Sequence, residues 1–146
     1  MTDWLQHLLT SDDAIGALLE RVRTIAVLGI KTADAAAPAY DVPAYAQRAG
    51  FRILPVPVYY PDVTEILGER VYRSVREIDG RVDLVNVFRR PKDIPQHLDD
   101  LLAARPRAVW FQLGIRHDEV AEALARHGID VVQDRCLMVE LRRHGR

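Results

Sequence analysis

The feature that most constrains the fold is an uninterrupted apolar run at residues 25–28 that ends directly at Gly29. Such a run is typical of a strand buried on both faces, as in a parallel sheet. Glycine at the end of the strand permits a tight turn and a close approach to the backbone. An amphipathic helical pattern begins at Pro38, and its first N–H groups would face that turn. This strand–turn–helix arrangement is typical of a site for a phosphate group.

The remaining apolar patterns predict strands that alternate with helices. We expect strands at 24–30, 51–56, 82–88, 108–113 and 129–132, and helices at 3–23 (in two pieces), 38–49, 94–104 and 117–127. The tail at 137–141 would either extend the sheet or make a final turn. The alternation predicts an α/β fold, a three-layer, Rossmann-like, doubly wound and mostly parallel sheet of five to six strands. We expect one domain over 1–146, with the helical segment 1–23 packed on it.

Composition excludes several classes of protein. The net charge of −1 gives no support to a nucleic-acid partner, and no apolar run approaches the roughly 20 residues of a membrane span. The N-terminus lacks the pattern of a signal peptide, and the single Cys136 cannot form an internal disulfide, so we expect a cytoplasmic protein. The apolar helix at residues 4–9 could pack against a second copy, which leaves a homo-oligomer possible.

Candidate binding residues follow the predicted strands, because ligands of such sheets bind at the carboxyl ends of the strands. These residues are Gly29, Ile30, Lys31, Val56, Pro57, Phe88, Arg89, Arg90, Gln112, Leu113, Gly114, Asp134, Arg135 and Cys136. Their charge is mainly positive, which suits an anionic ligand such as a nucleotide diphosphate.

Each of these residues also has a simpler interpretation. Gly29 could serve only a turn, and the Arg89–Arg90 pair could either bind a phosphate group or be solvated at the start of a loop. Tyr59 and Tyr60 could cover the edge of the core or stack on a base. Two features count against ordinary NAD binding: the G-x-G-x-x-G pattern is absent, and the second strand ends without the Asp or Glu that usually holds the ribose.

Catalytic patterns are weak. Cys136 would need a nearby histidine or a helix dipole to act as a nucleophile, and the five histidines fall on or beside predicted helices. We interpret Cys136 as a packed or incidental thiol. No pair of histidines or cysteines has the spacing of a structural zinc site.

Taken together, seven stretches resemble the small stand-alone CoA-binding domain proteins, the YccU-type family. Their fold is similar to the N-terminal CoA-binding domain of the succinyl-CoA synthetase α subunit. The stretches occur in family order and are residues 25–29 (IAVLG), 38–40 (PAY), 50–56 (GFRILPV), 67–72 (LGERVY), 85–89 (VNVFR), 110–115 (WFQLGI) and 134–136 (DRC). The chain departs from the family pattern at Ala37, where many relatives have a basic residue, and at Pro57-Val58, where relatives often have Asn-Pro. Lys31 partly replaces the missing charge.

The resemblance implies a protein that binds coenzyme A or an acyl-CoA without an established reaction, in a sensing, carrying or regulatory role. It implies that three parts of the ligand meet three sets of residues. These are Gly29, Ile30, Lys31, Pro38, Ala39 and Tyr40 at the pyrophosphate; Val56 and Pro57 at the adenosine; and Val87, Phe88, Arg89, Gln112, Leu113 and Gly114 along the pantetheine. Two alternatives stay open: a thiol or redox protein that uses Cys136 with CoA, and a nicotinamide-nucleotide sensor.

Overall fold

The computed structural model describes residues 3–146. Its strands are β1 (Thr24–Leu28), β2 (Arg52–Val56), β3 (Glu65–Ile66), β4 (Glu69–Arg70), β5 (Leu84–Val87), β6 (Ala108–Phe111) and β7 (Asp130–Val132). Its α-helices are α1 (Asp12–Glu20), α2 (Pro38–Arg48), α3 (Leu98–Ala104), α4 (Asp118–Arg126) and α5 (Leu137–Arg143). Short 3₁₀ turns lie at Trp4–His7, Ala33–Ala35, Val75–Glu77, Pro91–Asp93 and Pro95–His97.

Five strands form one parallel sheet in the order β2-β1-β5-β6-β7, and β3 and β4 form a separate antiparallel pair. The chain therefore starts in the middle of the sheet, builds outward to β2, and then crosses over to β5 on the other side of β1. This reversal of direction is the switch point of a doubly wound sheet, and it opens a crevice between the carboxyl ends of β1 and β5. The predicted three-layer α/β fold is confirmed.

Helices cover both faces of the sheet. On one face, α1, α2 and α5 bury Leu19, Val42 and Leu141 against inward-facing side chains such as Trp110. On the other face, Leu101 of α3 and Leu124 of α4 pack against the alternate residues of the same strands. Because both faces are covered, the strands consist almost entirely of buried apolar residues, which is why their sequence shows continuous runs and no alternation.

The C-terminal tail and the segment before α3 differ from the expectation. The tail forms helix α5 and adds no strand, because Leu137 and Leu141, four residues apart, bury one helical stripe in the core. The segment before α3 forms two 3₁₀ turns, and each has a proline at its first position, Pro91 and Pro95.

The N-terminal segment lies along the outer strand β7. Leu8 pairs with Val131 in a parallel bridge, and the Leu9 N–H donates to the Val131 carbonyl at 2.9 Å. Trp4–His7 forms a 3₁₀ turn in place of an α-helix, with the Arg126 guanidinium of α4 stacked 4.9 Å from the Trp4 ring. The segment thus covers an otherwise open sheet edge. Among the described residues, no helix is long and apolar enough to cross a membrane.

Gly29 is the tightest point of the crevice and yields a first prediction. Its φ is +91°, and a Cβ placed there would collide with the Phe88 carbonyl oxygen. Gly128 also has a positive φ, +79°, but has open space around it. We expect Gly128→Ala to cost about 1–2 kcal/mol of unfolding free energy, the penalty of the left-handed conformation. Gly29→Ala should cost roughly 1–3 kcal/mol more, because it adds overpacking.

Chemical denaturation of the two alanine variants and the wild type measures this difference. Equal losses for Gly29→Ala and Gly128→Ala would show that the two strand ends do not press together at Gly29.

Candidate functional site

A cleft of about 390 Å³ lies at the switch point, above the carboxyl ends of β1, β5 and β6. Its walls come from three loops and the start of one helix. The lining residues are Lys31, Ala37, Pro38, Ala39, Phe88, Arg89, Arg90, Pro91, Gln112, Leu113, Gly114 and Ile115. The cleft therefore lies where the topology of the sheet places a ligand site.

Backbone hydrogen bonds fix the floor of the cleft. The Gly29 N–H donates to the Val56 carbonyl at 2.8 Å, and the Phe88 N–H donates to the Leu28 carbonyl at 2.8 Å. The Lys31 N–H then donates to the Ala39 carbonyl at 3.2 Å, which ties the β1 turn to the first turn of α2. The turn after β1 is thus held between β2, β5 and the helix.

The structure brings nine of the sequence-predicted site residues together in the wall of the cleft. They are Lys31, Pro38, Ala39, Phe88, Arg89, Arg90, Gln112, Leu113 and Gly114. Five others lie beneath or beside it: Gly29, Ile30, Tyr40, Val56 and Pro57. Ile30, Val56 and Pro57 are buried, so their side chains support the loops. The role of these fourteen residues in binding stays a prediction.

Cationic and apolar surfaces meet in the cleft. Lys31 and Arg89 are half-buried, and among residues 3–146 neither has a carboxylate within ion-pair distance. Arg90 differs, because its Nε lies 3.0 Å from the Asp93 carboxylate. On the opposite side, Leu113 is 64% exposed and presents an apolar side chain to the cleft. The cleft can hold an anionic group beside an apolar one.

Two buried amides support the Gln112 wall. The Gln112 Oε1 accepts from the Leu137 N–H at 3.2 Å and from the Asn86 Nδ2 at 3.4 Å. Both side chains are buried, so these bonds hold Gln112 and the start of α5 in fixed positions. No local pattern predicts this pair, because Asn86 on β5 and Gln112 after β6 are 26 residues apart.

One arginine organises the loop after β2. The Arg73 guanidinium donates to the carbonyl oxygens of Tyr59 (3.4 Å), Tyr60 (3.0 Å), Pro61 (3.2 Å) and Val63 (2.6 Å). Tyr59 is 61% exposed and does not cover the core, whereas Tyr60 is half-buried. The loop thus presents one free aromatic ring on the β2 side of the β1 turn.

His97 is a neighbour of the cleft that the sequence did not indicate. The Arg89 Nε donates to the His97 Nε2 at 3.1 Å. Burial and then the Arg89 charge lower the pKa of His97 from its usual 6.5, and Asp100 and Asp93 oppose them in part. Arg89 and His97 are eight residues apart in a proline-rich segment, and no sequence pattern predicts a contact between them.

Cys136 precedes α5 and is half-buried against the core. In the described part of the chain no histidine hydrogen-bonds its thiol, and no cluster of three His, Cys, Asp or Glu side chains has the arrangement of a metal site.

The parallel sheet, its switch point and the cleft there define an α/β protein of the Rossmann-like class. Within that class, the sequence pattern of the family described as "CoA binding domain" matches residues 23–142, and the chain belongs to this family.

The chain has relatives of similar size. It is 34% identical over 125 residues to the uncharacterized protein YneT of Bacillus subtilis (strain 168), covering 86% of this chain and 90% of that protein. A solved structure from Thermus thermophilus is similar at 43% identity and a TM-score of 0.84, covering 92% of this chain and 99% of that one. A hypothetical protein from Pyrococcus horikoshii OT3 has 27% identity and a TM-score of 0.84, with 94% of each chain covered.

The lowered pKa of His97 predicts a pH dependence of stability. At pH values between the pKa of His97 in the folded protein and its pKa near 6.5 in the unfolded chain, the unfolded chain binds more protons than the folded protein. The free energy of unfolding therefore falls as the pH falls through this range. His97→Gln removes this contribution. We expect the wild type to lose more unfolding free energy than His97→Gln between about pH 7.5 and about pH 5.

Urea denaturation of both proteins at several pH values measures this loss. Parallel curves for the wild type and His97→Gln would contradict a neutral, half-buried imidazole beside Arg89.

Proposed function

We propose that this protein binds coenzyme A or an acyl-CoA in the cleft at the switch point. The observation that carries the proposal is the pairing, in one cleft, of unneutralised cations with an exposed apolar wall. CoA has the matching chemistry, because it joins a charged pyrophosphate and 3′-phosphate to a long uncharged pantetheine arm. Membership of the CoA binding domain family supports the same ligand.

The charged part of CoA would lie at the β1 turn. Lys31 and Arg89 flank the start of α2, whose Ala37 cap residue offers no side chain to its free N–H groups. Arg89, which the resemblance places along the pantetheine, would therefore meet a phosphate group instead. An anion there gains both from the helix dipole and from charge-assisted hydrogen bonds. Lys31 would thus supply part of the positive charge that Ala37 lacks.

The uncharged part would run along the opposite wall. Phe88, Leu113 and Ile115 give an apolar surface, and Gln112 supplies one polar group for an amide of the pantetheine arm. Such a lining, mainly apolar with few polar groups, is usual for small-molecule sites. On the β2 side, the exposed Tyr59 ring would border the adenosine.

We propose binding in a sensing, carrying or regulatory role as the function of the site. Isothermal titration with CoA, 3′-dephospho-CoA and NAD tests the proposal. We expect saturable CoA binding, weaker binding of the dephospho form and the weakest binding of NAD, because β2 ends without the acidic residue that would hold a ribose.

Two matched variants test whether the charge of Arg89 contributes to CoA binding. Arg89→Gln should weaken CoA binding by about 10- to 100-fold, the worth of one charge-assisted hydrogen bond. Arg126→Gln makes the same change of charge on α4, where Arg126 pairs with Glu122, and should leave CoA binding unchanged. NAD binding as tight as CoA binding would favour the nicotinamide alternative, and no binding of any of the three would contradict the proposal.

A further inference from the structure

The Arg89 guanidinium has an unusual partner for a half-buried cation. Its Nε donates to a neutral nitrogen, the His97 Nε2, at 3.1 Å. Its Nη atoms make no hydrogen bond within the described ranges, and no carboxylate there pairs with it. The adjacent Arg90 shows the ordinary arrangement, since it pairs with Asp93 at 3.0 Å. Arg89 is therefore held in place while its charge stays uncompensated.

The contacts define the form of the imidazole. Two groups approach the His97 Nε2: the Arg89 Nε at 3.1 Å and the Gln96 side-chain amide at 3.4 Å. Guanidinium and amide NH₂ groups can only donate, so Nε2 must carry a lone pair and the ring is neutral, with its proton on Nδ1. A protonated ring would lose both contacts and place a second cation beside Arg89.

The charges around the imidazole fit this neutral form. Arg89 faces it from the cleft side and, with burial, lowers its pKa, whereas Asp93 and Asp100 act in the opposite direction. The Asp100 carboxylate is itself engaged with Arg76 at 2.6 Å, which weakens its pull on the imidazole. His97 thus stays an acceptor at neutral pH.

Arg89 lies where an anion would bind. Its Cδ is 3.4 Å from the position that a Cβ on Gly29 would take, so the side chain passes over the β1 turn. A carboxylate in the place of His97 would hold the arginine equally well but would cancel the charge that an anionic ligand needs.

We propose that His97 is a positioning residue that holds the Arg89 guanidinium at the cleft without neutralising it, so that Arg89 can bind a phosphate group of the ligand. This inference rests on the proposed function for the identity of the ligand. It assigns to His97 a task that a neutral acceptor can perform and an acidic residue cannot.

Three variants of His97 separate position from charge. His97→Gln places an amide oxygen near the site of Nε2, His97→Glu places a carboxylate of the same shape there, and His97→Ala removes the acceptor. We expect CoA affinity in the Gln variant to stay within about twofold of the wild type. The Ala variant should bind roughly 2- to 12-fold more weakly, the cost of ordering one long side chain. The Glu variant should bind more weakly still.

A second background shows whether these effects act through Arg89. In Arg89→Gln, the His97→Ala change should have no further effect on CoA affinity, because there is no guanidinium left to position. An equal loss in both backgrounds, or an Ala variant that binds like the wild type, would overturn the inference. Thermal unfolding of each variant checks that it is folded.

A measurement without ligand separates this inference from the proposed function. The Arg89 Nε–H resonance in ¹⁵N NMR should exchange slowly with water in the wild type and in His97→Gln, and rapidly in His97→Ala. Equal exchange in all three would overturn the positioning role even if CoA binds. Slow exchange in a protein that binds no CoA would instead overturn the proposed ligand and, with it, the phosphate-binding part of the inference.

Discussion

The close passage of the β1 turn beneath the carbonyl of Phe88 is the contact on which the cleft depends. Because Gly29 has no side chain, the ends of β1 and β5 can approach each other, and the Gly29 N–H still reaches the Val56 carbonyl. The chain leaves β1 toward α2 on one face of the sheet, and it leaves β5 toward α3 on the other. This divergence opens the crevice, and the residues that follow each strand become its walls.

Much of the fold was predictable because strands that are buried on both faces of a sheet have continuously apolar sequences. Residues 25–28 and 108–111 are apolar throughout, and the parallel sheet explains why. The less regular segments were harder to predict. Whether the tail became a strand or a helix depended on Leu137 and Leu141 finding the core, which is a tertiary contact that local pattern does not contain.

The candidate site also has a part that the sequence predicts and a part that it does not. Parallel strands end at one edge, so the sequence was sufficient to place Lys31, Arg89 and Gln112 together. It was insufficient for the residues that support them. His97 approaches Arg89 through a run of 3₁₀ turns, and Arg73 gathers the carbonyls of a loop that lies 10 to 14 residues before it. Such supporting contacts depend on the folded geometry of loops and have no fixed spacing.

The most direct test of the account is an NMR titration of the ¹⁵N-labelled protein with CoA. With CoA bound at the switch point, we expect the largest amide shifts on the turn at residues 29–31, the start of α2 and residues 112–114 around the cleft. Gly80 and Arg105, which line a separate pocket away from the cleft, should show no shifts. Shifts centred on Gly80 and Arg105, or no shifts at any CoA concentration, would contradict a CoA site at the switch point.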